Sequence, residues 1–248
     1  KDYCHHYATM NEPIVFASNG WNRGTWPPFK RFTLFDFLTI TNSGKQHEAR
    51  YTKGIKPLFL YFRVVKNLAR AHNAAYHAIK KVLLASDVSV VKHVILFRSN
   101  GNPFNKIGAV FMNWLWTHRF MNEVYEQCDS IGLNYYFQKK FGDTEVYKKT
   151  DMDWDIYPQG LYDCLMMLTR YNKPLFVSEA GIADAKDDRR GDYITKQVEA
   201  VWHAIQDGAD VRGHFYWSLL DNYEWALGFE KRFGLVEVDF KTQKRTIR

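Results

Sequence analysis

"KPLFVSE" at residues 173–179 is a short, mostly apolar run that ends on a carboxylate. A helical pattern follows at residues 192–208, "DYITKQVEAVWHAIQDG", and Gly208 stands where a glycine commonly ends a helix. A second apolar run, "VRGHFYWSLL", comes next at residues 211–220. This order of strand, helix and strand predicts two parallel strands joined by a right-handed crossover.

The same alternation extends back through the chain. Further strands are predicted at residues 3–10, 89–97 and 130–137, and further helices at residues 58–85, 112–128 and 160–171. The strands are nearly continuous apolar runs, so we expect both faces of the sheet to be covered. The sequence therefore predicts one α/β domain over residues 1–248, with residues 18–57 as a long irregular loop. In the first predicted helix the apolar spacing falls on Leu60, Val64, Leu68, Ala71, Ala75 and Ile79.

Two architectures fit this alternation: an open doubly wound sheet and a (β/α) barrel. Neither of the glycine-rich phosphate-binding motifs, G-x-G-x-x-G and G-x-x-x-x-G-K-[ST], occurs, which weakens a nucleotide-binding sheet. Polar and aromatic residues instead collect where predicted strands end. In a barrel all those ends meet on one face, which holds the active site. The pattern favours the barrel, and its strand-end residues are Asn11, Glu12, Asn134, Tyr136, Glu179, Trp217, Glu224 and Trp225.

Two of these strand-end residues are glutamates: Glu12, within "YATMNEPIV" at residues 7–15, and Glu179. A lone glutamate at such a position is more often salt-bridged or solvated. Two of them at the same end of parallel strands can face each other across a pocket. Glycoside hydrolysis needs that arrangement, because one carboxyl group protonates the leaving oxygen while the other attacks the sugar from the opposite side. At a separation of about 5 Å the reaction retains configuration.

Composition narrows the class of protein further. The formal charge is +7, but the basic residues are scattered or mixed with acids, so we expect no nucleic-acid partner. No apolar stretch is long enough for a membrane span. The 3 cysteines are far apart, which argues against a disulfide framework or zinc site and favours a reducing, cytoplasmic compartment. We expect no metal or cofactor, and we expect packing roles for Cys4, Cys128, Cys164, His72, His93 and His203.

Several segments together resemble glycoside hydrolase family 1, the retaining β-glycosidases. They are "TMNEP" (9–13), "NLARAHNAAYHAIKK" (67–81), "SIGLNYY" (130–136), "DMDWDIYPQGLYD" (151–163), "KPLFVSEAGIAD" (173–184) and the long block at residues 210–248. The last block is the most specific. The resemblance implies a (β/α)8 TIM barrel and a hydrolase that acts on small-molecule or oligosaccharide β-glycosides.

The resemblance also implies roles for individual residues. Glu12 is expected as the general acid/base and Glu179 as the nucleophile, while Asn11 binds the sugar 2-hydroxyl. Tyr136 is expected to hold the nucleophile, with Asn134 beside it. Ala180 stands where the family usually has Asn, a small change that leaves the carboxylate in place. The remaining substrate-binding roles fall on Trp217 under the glycone, Glu224 and Trp225 at its outer hydroxyls, Trp154 on the aglycone side and Phe233 in the wall.

One of these residues, Glu224, also bears on the substrate. In the phosphoglycosidase branch of the family this position is usually not acidic, because a carboxylate repels a sugar phosphate. Glu224 therefore favours an unphosphorylated sugar of the β-glucoside type. The choice among glucose, galactose and fucose stays open.

The "NEP" of this family ends the fourth barrel strand, yet only ten residues precede it here. The chain is therefore expected to supply roughly strands 4 to 8 of the barrel and to be incomplete at both ends. Five strands do not close a barrel. We therefore expect a partner in the missing N-terminal part of the same barrel. The alternative is a truncated or decayed barrel that binds sugar or a protein partner without catalysis.

Overall fold

The computed structural model describes residues 4–30, 56–142 and 145–248. Contacts divide the chain into two compact units. The first contains the described residues up to 93 together with 118–130, and the second contains 94–117 and 131–248. A single domain over residues 1–248 stays a prediction.

Helices and strands alternate over most of the described chain. Trp114–His118 forms a π-helical turn, and Trp225–Leu227 forms a 3-10 turn. The strands are β1 (His6–Asn11), β2 (Asp87–His93), β3 (Leu96–Ser99), β4 (Ser130–Tyr135), β5 (Gln138–Phe141), β6 (Leu175–Ala180), β7 (Val211–Tyr216), β8 (Val236–Val238) and β9 (Arg245–Ile247). The helices are α1 (Pro13–Trp21), α2 (Lys56–Val82), α3 (Pro103–Asn113), α4 (Arg119–Val124), α5 (Gly160–Leu168) and α6 (Arg190–Gln206).

In the first unit, β1 runs parallel to β2, with Tyr7 opposite Val88 and Asn11 opposite Val91. Helix α1 follows β1 directly because Pro13 stands at its first turn, where the missing N–H of proline costs nothing. The sequence analysis missed this helix and assigned its last residues to the loop at 18–57. Residues 31–55 of that predicted loop lie outside the described residues.

Helix α2 supplies much of the core of the first unit. Its buried positions are Tyr61, Val65, Ala69 and His72, at 3%, 3%, 1% and 0% exposure. This is a helical stripe, but it lies one residue beyond the predicted one, whose first member Leu60 is 38% exposed. The aromatic ring of Tyr61 and the imidazole of His72 extend the buried face past the purely aliphatic pattern.

His72 joins three segments of the first unit. Its Nδ1 lies 2.6 Å from Oγ1 of Thr9 on β1, and its Nε2 lies 2.8 Å from the carbonyl oxygen of Gln127. Burial lowers the pKa of His72, although the Gln127 carbonyl partly opposes that effect. The neutral ring is therefore favoured in the folded protein. The predicted packing roles of His72 and His93 are confirmed by their burial, whereas His203 is exposed on α6, so its predicted packing role is wrong.

In the second unit, β4, β6 and β7 are parallel, with Leu133 opposite Val177 and Val177 opposite His214. All residues of β4 are buried, as expected for a strand covered on both faces. No residue of β7 is buried, and in the first unit none of β1 is, so the expectation of covered faces is wrong for these two strands. Helix α6 is followed by Gly208 at φ 97°, a conformation that suits the predicted helix-ending glycine.

Strands β3 and β5 form a separate parallel pair in the second unit. Residues 89–97 were predicted as one strand, but β2 ends at His93 and β3 starts at Leu96. The helix predicted at 112–128 begins earlier, at Pro103, because the side chain of Asn102 caps it by accepting a hydrogen bond from the N–H of Phe104. The sequence analysis overlooked this Asn-Pro signal.

Cys128 and Cys164 are buried as expected, but Cys4 is exposed, so its predicted packing role is wrong. No pair of cysteines forms a disulfide among the described residues. Within the same residues, no helix is both long and apolar enough to cross a membrane.

Candidate active site

Glu179 lies at the carboxyl end of β6, one residue before the strand ends. The registers of β6 with both neighbours shift just before this point: Asn134 of β4 lies opposite Glu179, and Tyr216 of β7 lies opposite Ala180. Such an irregularity re-aims the side chains that follow it. Ser178 donates a hydrogen bond of 2.8 Å to Oδ1 of Asn134, which ties the two strand ends together.

The hydroxyl of Tyr136 donates a hydrogen bond of 2.7 Å to Oε2 of Glu179. Tyr136 is only 7% exposed, so the bond forms in a largely water-excluded place where it orients one carboxylate oxygen. Asn134, two residues earlier, is fully buried at the end of β4. The structure thus brings Asn134, Tyr136 and Glu179 together at one end of adjacent parallel strands.

Three further aromatic residues lie around Tyr136. The ring centroid of Trp154 lies 5.4 Å from that of Tyr136 and 5.0 Å from that of Phe137. Phe233, at 1% exposure, lies edge-on to Tyr136 at 6.2 Å. Of these rings only that of Trp154 is half-buried rather than buried, so its flat face is the one that can pack against the C–H face of a sugar. We name these four residues, Tyr136, Phe137, Trp154 and Phe233, the aromatic wall.

Trp217 follows β7 and is half-buried. Its backbone N–H donates a hydrogen bond of 3.0 Å to the carbonyl oxygen of Ala180, the residue after Glu179. The backbone of Trp217 is therefore attached to the end of β6.

Glu224, in the same unit as Glu179, carries a second carboxylate of the candidate site and is half-buried. Asn222 donates a hydrogen bond of 3.0 Å to its Oε2. Burial raises the pKa of Glu224, the Asn222 hydrogen bond opposes this, and the charge of Glu179 raises it further. The two carboxylates therefore interact electrostatically. Trp225, the next residue, is 66% exposed.

Asn11 and Glu12 lie in the first unit, at the carboxyl end of β1. The N–H of Glu12 donates a hydrogen bond of 2.8 Å to the carbonyl oxygen of Val91. Glu12 has φ 49° and ψ 54°, the left-handed conformation that costs a non-glycine residue about 1–2 kcal/mol. Strained backbone is concentrated at functional sites, where the surrounding structure holds it in place.

Sequence reasoning missed some neighbours of these residues. Phe137 belongs to the aromatic wall, and its signal was its place directly after "NYY". Asn222, which holds Glu224, stood two residues before it in "DNYEW". Ser178 carried no comparable signal, because its bond to Asn134 depends on the register of two strands. Among the described residues, no cluster of three His, Cys, Asp or Glu side chains is arranged to hold a metal ion.

Parallel strands alternate with helices, and in the second unit Glu179 and the aromatic wall lie at or near strand ends. These features define the class as an α/β protein. The family model of glycosyl hydrolase family 1 matches residues 102–248, more than half of the chain. The chain belongs to glycosyl hydrolase family 1. The resemblance stated from the sequence is thereby confirmed.

Two curated relatives give the scale of the similarity. The chain is 28% identical to the 1,4-beta-D-glucan glucohydrolase of Thermotoga neapolitana over 100% of its own length and 62% of the relative. It is 30% identical to the beta-galactosidase of Sulfolobus acidocaldarius over 98% of its own length and 52% of the relative. The chain therefore spans between half and two thirds of the length of these relatives.

The solved structure of Fpglu1 from Fervidobacterium pennivoraus matches with a TM-score of 0.82 and 32% identity, covering 100% of this chain and 54% of that one. The predicted fold class, part of a (β/α)8 barrel, is confirmed by such matches.

Proposed function

We propose that the protein is a retaining β-glycosidase, with Glu179 as the nucleophile and Glu12 as the general acid/base. The observation that carries the proposal is the hydrogen bond from Tyr136 to Glu179 beside the aromatic wall. It presents a carboxylate, fixed through one oxygen, beside an aromatic wall whose half-buried Trp154 is suited to a sugar. The left-handed backbone of Glu12 and its place after a parallel strand support the second assignment.

Two displacements complete the reaction. In the first, an oxygen of Glu179 attacks the anomeric carbon and the bond from that carbon to the aglycone oxygen breaks. Glu12 gives its proton to the departing oxygen, and a glycosyl ester of Glu179 is left. In the second, Glu12 takes a proton from water, the water oxygen attacks the same carbon, and Glu179 leaves. The sugar keeps its configuration.

Asn11, Trp217, Glu224 and Trp225 are proposed to bind the glycone, with Asn134 beside the nucleophile, Trp154 on the aglycone side and Phe233 in the wall of the site. Glu224 supports an unphosphorylated β-glucoside, since its carboxylate repels a phosphate and accepts hydrogen bonds from hydroxyls. The test is direct: nitrophenyl β-glucoside is expected to react and its 6-phosphate is expected not to. Preference for the phosphorylated substrate would overturn this specificity.

The relatives are longer than this chain, and we propose that barrel strands absent from it complete the glycone site. A cytoplasmic location is part of the same proposal, supported by cysteines that form no disulfide among the described residues. Intact mass of the purified protein shows how much polypeptide is present when activity is measured.

Covalent trapping tests the function. A 2-deoxy-2-fluoro-β-glucoside with a good leaving group is expected to label the peptide that carries Glu179. Glu179→Gln is expected to abolish labelling, and Glu12→Gln to slow turnover of poorly activated substrates on the order of 10²- to 10⁴-fold. Glu199→Gln is the matched control, because Glu199 is exposed on α6. Sugar binding without labelling or turnover would favour the non-catalytic alternative.

A further inference from the structure

Arg190 is a buried arginine at the start of α6, with 3% of its surface exposed. Its Nη1 donates to the carbonyl oxygens of Ile182 and Phe233, both at 3.0 Å, and to the hydroxyl of Tyr216 at 2.8 Å. Its Nη2 donates to the carbonyl oxygen of Asp184 at 2.7 Å. A guanidinium has five N–H donors in a rigid plane, so one side chain fixes all these acceptors in a single geometry.

Arg190 also pairs with Asp187, and three of the other segments that it joins lead to the candidate site. Ile182 lies three residues after Glu179, and Tyr216 is followed directly by Trp217. Phe233 belongs to the aromatic wall and lies edge-on to Tyr136, whose hydroxyl holds Glu179. A path of direct contacts therefore runs from the guanidinium through Phe233 and Tyr136 to the carboxylate.

Arg189, the preceding residue, holds a different part of the aromatic wall. Its Nη2 donates to Oδ1 of Asp151 at 2.8 Å and its Nη1 donates to the carbonyl oxygen of Lys149. Thr150, between these two residues, accepts a hydrogen bond of 3.2 Å at its Oγ1 from the N–H of Trp154. Arg189 thus anchors the loop that carries Trp154, whereas Arg190 anchors Phe233.

We infer that Arg190 is a positioning residue that aligns Phe233 and Tyr136 and thereby orients Glu179 for attack. This inference rests on the proposed function. Because the guanidinium is buried, water does not take the place of its hydrogen bonds when they are lost. No other side chain of similar size offers the same planar set of donors. Displacing reacting groups by about 1 Å typically costs about 100-fold in rate.

The test compares Arg190→Met and Arg190→Lys with Arg189→Met and Arg212→Met, all at a temperature where each variant is folded. Arg212 pairs with Asp210 on the surface and serves as the neutral control. The fraction of molecules that takes up the 2-fluoroglucoside label gives the number of active sites. The labelling rate is then expressed per active site. Arg190→Met is expected to lower that rate about 100-fold. Its kcat/KM profile is also expected to shift to higher pH on the acid side, because a weakened Tyr136 bond stabilises the carboxylate less.

Arg189→Met is expected instead to raise KM, with the acid limb of the profile in place. Arg190→Lys is expected to fall between wild type and Arg190→Met, and it keeps the test open if the methionine variant does not fold. An unchanged rate per active site and an unchanged acid limb in both Arg190 variants would overturn the inference. A smaller fraction of labelled molecules with a normal labelling rate per active site would also overturn it, because that result means that part of the protein is unfolded.

A crystal structure of an Arg190 variant separates this inference from the proposed function. We expect the Phe233 ring to move and the Tyr136–Glu179 hydrogen bond, 2.7 Å in the present structure, to lengthen or break. If the wild-type protein takes no label, the proposed function fails. The structure of the variant then still decides whether Arg190 positions these side chains, and an undisturbed site would show that it does not.

Discussion

Gly181 and Trp217 are in such close backbone contact that a Cβ atom on Gly181 would lie 1.9 Å from the Trp217 carbonyl oxygen. Real Cβ atoms essentially never come so close, and the obstacle is backbone rather than a flexible side chain. The glycine after Glu179 and Ala180 is therefore required by the approach of the segment that carries Trp217.

Gly181→Ala is predicted to force these two segments apart. We expect the free energy of unfolding to fall by about 1–3 kcal/mol, as for other overpacked positions, and kcat to fall with it. Urea unfolding and glucoside hydrolysis measure the two effects. Gly191→Ala is the matched control, because its added methyl meets nothing within 4 Å and the residue lies in α6. That variant is expected to gain about 0.5–1 kcal/mol. Equal stability of both variants would contradict the proposed contact.

The sequence predicted what depends on local pattern and left out what depends on distant contacts. Glu179 at the end of an apolar run was visible, because a strand and its last residue are neighbours in the chain. The hydrogen bonds of Arg190 could not be predicted, since "DDRRGD" at residues 187–192 has the composition of a solvated loop. Its contacts with Phe233 and Tyr216 form only in the folded protein. The buried face of α2 lies one residue beyond the predicted stripe, because it includes His72, whose burial depends on Thr9 and Gln127. Family motifs supplied the roles that periodicity does not contain.

Tyr136→Phe is predicted to lower kcat/KM roughly tenfold or more, since a hydrogen bond to a charged group contributes about 1.5–3 kcal/mol. The lost bond stabilised the carboxylate form of Glu179, so its removal raises the pKa and moves the acid limb of the pH–rate profile to higher pH. The profile of kcat/KM against pH measures both changes.

Tyr162→Phe is the control for this substitution. The hydroxyl of Tyr162 donates a bond of the same length, 2.7 Å, to Oδ2 of Asp207, but this pair is exposed. Its loss is expected to leave activity and the pH profile unchanged. An acid limb that stays in place in Tyr136→Phe would show that Tyr136 does not govern the charge of Glu179.

Glu224→Gln is predicted to stabilise the fold while weakening substrate binding. The pKa of Glu224 is raised above its ordinary value of 4.5 by burial, so the folded protein binds the proton more tightly than the unfolded chain does. Wild-type stability therefore falls as pH rises from about 4.5 through the folded pKa, and the glutamine variant escapes this loss. At pH 7 we expect a higher Tm and a higher KM for glucosides. A lower Tm at pH 7 would mean that the carboxylate contributes more to the fold than its burial costs.

His72 is predicted to make the fold sensitive to mild acid. Burial lowers its pKa from the ordinary 6.5, so the unfolded chain takes up a proton at a pH where the folded protein does not. The stability that neutral His72 provides is present above pH 6.5 and is lost as pH falls from there toward the lower folded pKa. His72→Asn is expected to be less stable at pH 7 and to lose less on acidification, as measured by urea unfolding at pH 7 and pH 5. His203→Asn, an exposed site on α6, is expected to keep the wild-type slope. If His72→Asn also keeps that slope, another group is responsible for the acid sensitivity.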